Sequence, residues 1–88
     1  MPTTVSVKSV RELGAAVTVV RIAQGVRASE LSVSHVVVGG LEHGKETTQV
    51  GKVLQILEDL GIRLVLEAPP GVSFPADLMT VTRRRVRS

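Results

Sequence analysis

The chain has no cysteine, no tryptophan, no tyrosine and a single phenylalanine, Phe74. Without cysteine there are no disulfides and no thiolate metal sites. Without aromatic platforms on which bases stack, single-stranded nucleic acid is a poor ligand, and duplex DNA is the better match if the chain binds nucleic acid. No apolar run approaches the ~20 residues that span a bilayer. Met1 to Val7 has no basic stretch followed by an apolar one, so no signal peptide is expected and a cytoplasmic location is. Metal-ligand spacing is missing too. His35 and His43 lie eight apart with Glu42 and Glu46 nearby, which matches no common pattern. No nucleophile–base–acid set stands out. The chain is therefore expected to be neither an enzyme nor a cofactor carrier.

What is present is 88 residues, 43% of them hydrophobic. That suffices for one small domain whose buried surface would be scarce, and a dimer sharing its core would relieve the scarcity. The formal net charge is +3, but Arg83, Arg84, Arg85 and Arg87 supply four of the 11 basic residues. The rest of the chain is close to neutral. The basic signal is thus a C-terminal tail, which can grip phosphates or simply be solvated. The expected division is a domain over residues 1–71 and a flexible basic tail over residues 72–88.

Ser9-Val10-Arg11-Glu12 is a capping box. Val10, Leu13, Val17 and Val20 follow at helical spacing, and Gly25 can close the turn. A helix is expected over Val10–Gln24. Arg27–Leu31 can form a turn or two of helix. Val36-Val37-Val38 before Gly39-Gly40 reads by propensity as a strand and turn, and helix or strand stays open from the residues alone. After a loop, with Thr48 the candidate N-cap, Gln49–Leu60 is the clearest helix, with Val50, Val53, Leu54, Leu57 and Leu60 as its apolar stripe. Lys52, Gln55, Glu58 and Asp59 form its wet side. Ile62–Glu67 alternates as a short strand stopped by Pro69-Pro70-Gly71. Alone it leaves its backbone groups unpaired. Its partner would be the same strand of a second chain, or the Val-rich start Thr3–Val7.

The stretch Leu13–Leu66 resembles the Cro/lambda-repressor-like (xenobiotic response element type) helix-turn-helix family, and within it the HipB-like antitoxins. The residues that carry the resemblance are Leu13-Gly14, Arg21 and Gly25 in the first helix, Glu30-Leu31 in the place of the second, and Val33-Ser34 where the recognition helix begins. Leu41-Glu42-His43-Gly44-Lys45 looks like the family's ending of that helix. The run from Gly51 to Leu64 closely resembles the antitoxins' last helix and strand. The resemblance implies a mainly α bundle of four to five short helices with a C-terminal strand, Ile62, Leu64 and Leu66, pairing across a homodimer. It implies a sequence-specific repressor of its own operon, an antitoxin whose partners are operator duplex DNA, a second copy of itself and a HipA-like kinase toxin, with no membrane.

In such a fold Arg27, Ser34, His35, Val36, Gly39 and Lys45 would face DNA. Arg27 and Lys45 would serve phosphates, Ser34 would cap the helix and touch phosphate, His35 would reach a base edge or a phosphate, and Val36 would touch a thymine methyl. Arg21 and Glu42 would form a partly buried structural bridge, not a DNA contact. The chain departs from the family in having about four fewer residues between Leu31 and Val33. That removes about one helical turn from the element that spans the DNA backbone. With Gly39-Gly40 in the recognition helix, this shortening also favours a second reading: a dimerisation or toxin-docking module that has lost DNA binding.

Overall fold

A computed structural model describes residues 3–79. The arginine run of the tail lies outside the described residues. Three α-helices pack together: α1 (Val10–Ala23), α2 (His35–Glu42) and α3 (Val50–Leu60), with a 3-10 turn at Ala28–Glu30 between the first two. Among the described residues the fold is mainly α, with these three α-helices and the 3-10 turn. The shortened stretch before Val33 holds a single 3-10 turn in the place of a second α-helix.

α1 begins where its sequence says. The Ser9 hydroxyl accepts from the Glu12 amide at 3.0 Å. Glu12 reaches back one residue further than a standard box, to the Lys8 amide at 2.6 Å. α2 is helical through Val36–Val38, which resolves the ambiguity of that segment. Ser34 caps it by accepting from Val37 N at 3.3 Å, and Val38 and Leu41, three apart, are fully buried. Burying such side chains is worth about 1.5–3 kcal/mol each. That outweighs the roughly 1 kcal/mol each that Gly39 and Gly40 cost a helix. α3 starts at Val50, not at a threonine cap. Gln49 is the cap residue and makes no side-chain bond, while the Thr48 hydroxyl donates to Lys45 O. All three helices end alike: Gly25, Gly44 and Gly61 take positive φ, and the next amide returns to a carbonyl of the last turn, as Ile62 N does to Leu57 O at 2.9 Å.

The core is Val17, Val33, Val38, Leu41, Val53, Ile56, Leu57 and Leu60, with Val10, Leu13, Val20, Leu31 and Ile62 packed against it. α3 therefore buries the stripe 53–56–57–60. Val50 and Leu54, expected inside, are exposed, and Ile56 takes their place. α1 and α2 meet at Gly14, where the backbones approach too closely for any side chain. The Gln24 amide ties the end of α1 to Leu60 O at 2.8 Å.

Two contacts hold the shortened segment before α2. Arg27 N donates to Glu30 Oε1 at 2.6 Å. Ser32 donates both its amide and its hydroxyl to Asp59 Oδ2 on α3, at 2.8 and 2.6 Å. Those bonds, the Ser32 hydroxyl foremost, hold the Asp59 carboxyl below its ordinary pKa. A carboxylate so depressed stabilises the fold at neutral pH, and that contribution is lost as the pH falls through its lowered folded-state pKa. Replacing Asp59 by Asn is expected to lower the thermal midpoint at pH 7 and to flatten its decline between pH 5 and pH 2, as followed by circular dichroism.

Residues 62–67, expected as a strand, carry no ladder among the described residues. Ile62 is half-buried against the core, whereas Leu64 and Leu66 are exposed. No backbone hydrogen bond joins residues 63–68 to the other described residues.

Candidate nucleic-acid interface

Arg21 comes from the last turn of α1 and Glu42 from the last residue of α2. The guanidinium donates Nε to Glu42 Oε2 at 2.6 Å and Nη2 to Oε1 at 3.0 Å. A third donor, Nη1, reaches Val26 O at 3.0 Å. The side chains are only 18% and 11% exposed. The hydrogen bonds that Arg21 donates to Glu42 raise its pKa further above its already high value. The pair ties the last turn of α1 to the last residue of α2.

With Val38 and Leu41 held in the core, α2 turns its other side to solvent. Successive residues are about 100° apart on a helix. That puts His35, Val36 and Gly39 on the outer side, and all three have space in front of them. His35 is exposed, Val36 is 69% exposed, and a Cβ built on Gly39 would touch nothing within 4 Å. Ser34 stands at the N-terminal edge of this face as the cap. His43, just past the helix end, folds its Nδ1 back to Gly39 O at 2.7 Å.

A shallow groove runs beside this face. Val36, Val37 and Gly40 form one side of it, and Lys45, Thr48 and Lys52 are among the residues that form the other. The Lys45 stem covers Gly40. Of the residues expected at the interface, the structure thus brings Val36 and Lys45 to one groove, with His35 and Gly39 on the same short helix as Val36 and Ser34 at its cap. Arg27 stands apart from them at the head of the 3-10 turn, exposed, and does not line the groove.

Lys52, which by sequence sits on the wet side of its helix, also belongs to this groove. A signal existed. Lys52 lies in the first turn of α3, a turn without acidic residues or a side-chain cap. A cation there opposes the helix dipole, whereas an anion would be favoured. Contact with α2, however, needs the fold.

Among the described residues no three His, Asp or Glu side chains gather as a metal site, and no helix is long and apolar enough to cross a membrane.

The chain is similar to a curated protein of Sinorhizobium fredii (strain NBRC 101917 / NGR234), the uncharacterized HTH-type transcriptional regulator y4mF. The two are 40% identical over 67 residues, covering 72% of this chain and 88% of the relative. No protein-family model matches the chain, and no solved structure does.

Proposed function

Because the chain belongs to the helix-turn-helix-type transcriptional regulators, we propose that it binds duplex DNA through α2 as a homodimer, represses its own operon, and serves as the antitoxin of a HipBA-like pair. The observation that carries the DNA reading is the outer face of α2. A helix anchored by Val38, Leu41 and the Arg21–Glu42 bridge presents His35, Val36 and Gly39 to solvent. Beside it Lys45 and Lys52 flank a groove whose lining contains no carboxylate. That is the arrangement of a helix that enters a major groove while cations on its flank meet the phosphates.

The dimer reading is supported by Leu64 and Leu66, exposed on a segment whose backbone groups find no backbone partner among the described residues. Pairing residues 62–67 with their copy would satisfy those groups and cover both leucines. Two α2 helices would then meet half-sites about 34 Å apart, or a multiple of that. The kinase toxin rests on the antitoxin resemblance of Gly51–Leu64, and the cytoplasmic location on the signal-free start Met1–Val7. A kinase-like reading frame beside the gene would support the toxin partner.

One observation favours the second reading, a docking module without DNA binding. The element that would cross the DNA backbone is only the three-residue turn Ala28–Glu30. The readings separate in a gel shift on the chain's own promoter region across a salt series. A DNA reader gives a sequence-dependent shift with a log–log salt slope of several units. Lys45→Ala and Lys52→Ala are each expected to reduce that slope by about 0.9 while leaving the preferred sequence unchanged. A docking module gives no specific shift at any salt. Binding through the tail alone is blind to sequence and disappears when residues 82–88 are deleted.

A further inference from the structure

The outer face of α2 is poor in hydrogen-bonding groups. Val36 lies on the opposite side of the helix from the fully buried Val38 and Leu41, near the centre of the exposed face. One turn on, Gly39 offers bare backbone, and its carbonyl already accepts from His43. The stem of Lys45 covers Gly40. α2 itself carries none of the residue types that read a purine by two hydrogen bonds, arginine or lysine for guanine and asparagine or glutamine for adenine; Lys45, Gln49 and Lys52 stand across the groove from Val36 and not on the helix. What it offers instead is a branched apolar side chain with an unobstructed surface beside it.

We infer that α2 reads a thymine through its 5-methyl group, with Val36 as the specificity-determining residue and Gly39 allowing the helix backbone to come close to the bases. This rests on the reading of α2 as the DNA-contacting helix and names what it reads. Thymine is the one standard base that shows an apolar group in the major groove. The surroundings match such a ligand. Lys45 and Lys52 line the groove next to Val36, with no carboxylate in its lining, so the apolar contact is flanked by charges suited to phosphates. A substituent at Gly39 would hold the helix away from the base edges by about the width of a methyl group.

The test uses the full chain and a duplex enriched by it from a random pool, with affinity read by fluorescence anisotropy. Each thymine is then replaced by deoxyuridine, which removes the methyl and leaves base pairing intact. One thymine per half-site is expected to respond. Its replacement should weaken binding about fourfold, and about fifteenfold when both half-sites are changed. Val36→Ala, at an exposed position that the core does not need, should keep its melting temperature, bind more weakly, and become indifferent to uracil.

An enriched sequence with no uracil-sensitive thymine overturns the inference and leaves DNA binding standing. A uracil penalty that persists unchanged in Val36→Ala also overturns it. A pool that yields no preferred sequence overturns the DNA reading and this inference together. An unchanged DNA affinity in Val36→Ala assigns that surface to something other than DNA, and the inference fails.

Discussion

Gly14→Ala is expected to destabilise the chain by about 3 kcal/mol, at the top of the range for overpacking a closed interface. A Cβ at this position would overlap the Leu41 carbonyl oxygen, standing 2.9 Å from the carbonyl carbon and 3.0 Å from Glu42 Cα. The obstacle is backbone, so no rotamer change relieves it, and α1 and α2 must move apart. That movement would loosen Val17 from Val38 and Leu41. Urea unfolding should show a lower midpoint at an unchanged slope, because the surface exposed on unfolding barely changes. The same substitution at Gly39 is the control. There a Cβ meets nothing, and the gain in helix propensity should stabilise the chain by roughly 0.5–1 kcal/mol. Equal effects at the two glycines would refute the close approach of α1 and α2.

The second large effect is at the Arg21–Glu42 bridge. Removing one partner of a buried pair costs about 3–5 kcal/mol. These side chains keep some solvent contact, which places the expected loss for Arg21→Ala or Glu42→Ala nearer 2–3 kcal/mol. Arg21 should be the costlier to lose because its third donor also holds Val26 O. Arg21→Lys keeps the charge but not the two-pronged geometry, and is expected to recover only part of the loss. The double variant Arg21→Met with Glu42→Leu should be more stable than either single alanine variant, since neither charge is then left buried alone. Urea midpoints for the singles and the double decide this. Strictly additive losses in the double alanine variant, compared with the two alanine singles, would mean that the pair is not coupled.

The parts of the fold that were legible in the sequence are those set by local chemistry. Ser9 and Glu12 start α1, and the spacing of Val10, Leu13, Val17 and Val20 defines its inner face. Gly25 and Gly61 end helices because glycine adopts positive φ cheaply. What escaped was decided by contacts between elements. Val36–Val38 has strand propensity, and only the docking of Val38 and Leu41 against α1 and α3 makes it helical. α3 holds more apolar residues than one face can take, so two stripes compete on paper; the core takes Ile56 and leaves Val50 and Leu54 in solvent. The Ser32–Asp59 bond that steadies the shortened turn joins residues 27 apart and follows no local pattern. At the candidate interface the same division holds. Ser34, His35, Val36, Gly39 and Lys45 follow from the position of one helix. Lys52 joins them only because α3 packs where it does.

The central claim is that α2 presents a DNA-reading surface in a two-fold assembly. The most direct measurement is sedimentation of the full chain with a labelled duplex carrying its own promoter region, against a scrambled duplex of equal length. The account predicts two chains per half-site pair on the promoter duplex, much weaker association with the scrambled one, and a preference that survives deletion of residues 82–88. Equal affinity for both duplexes, or association lost entirely with those residues, would contradict it.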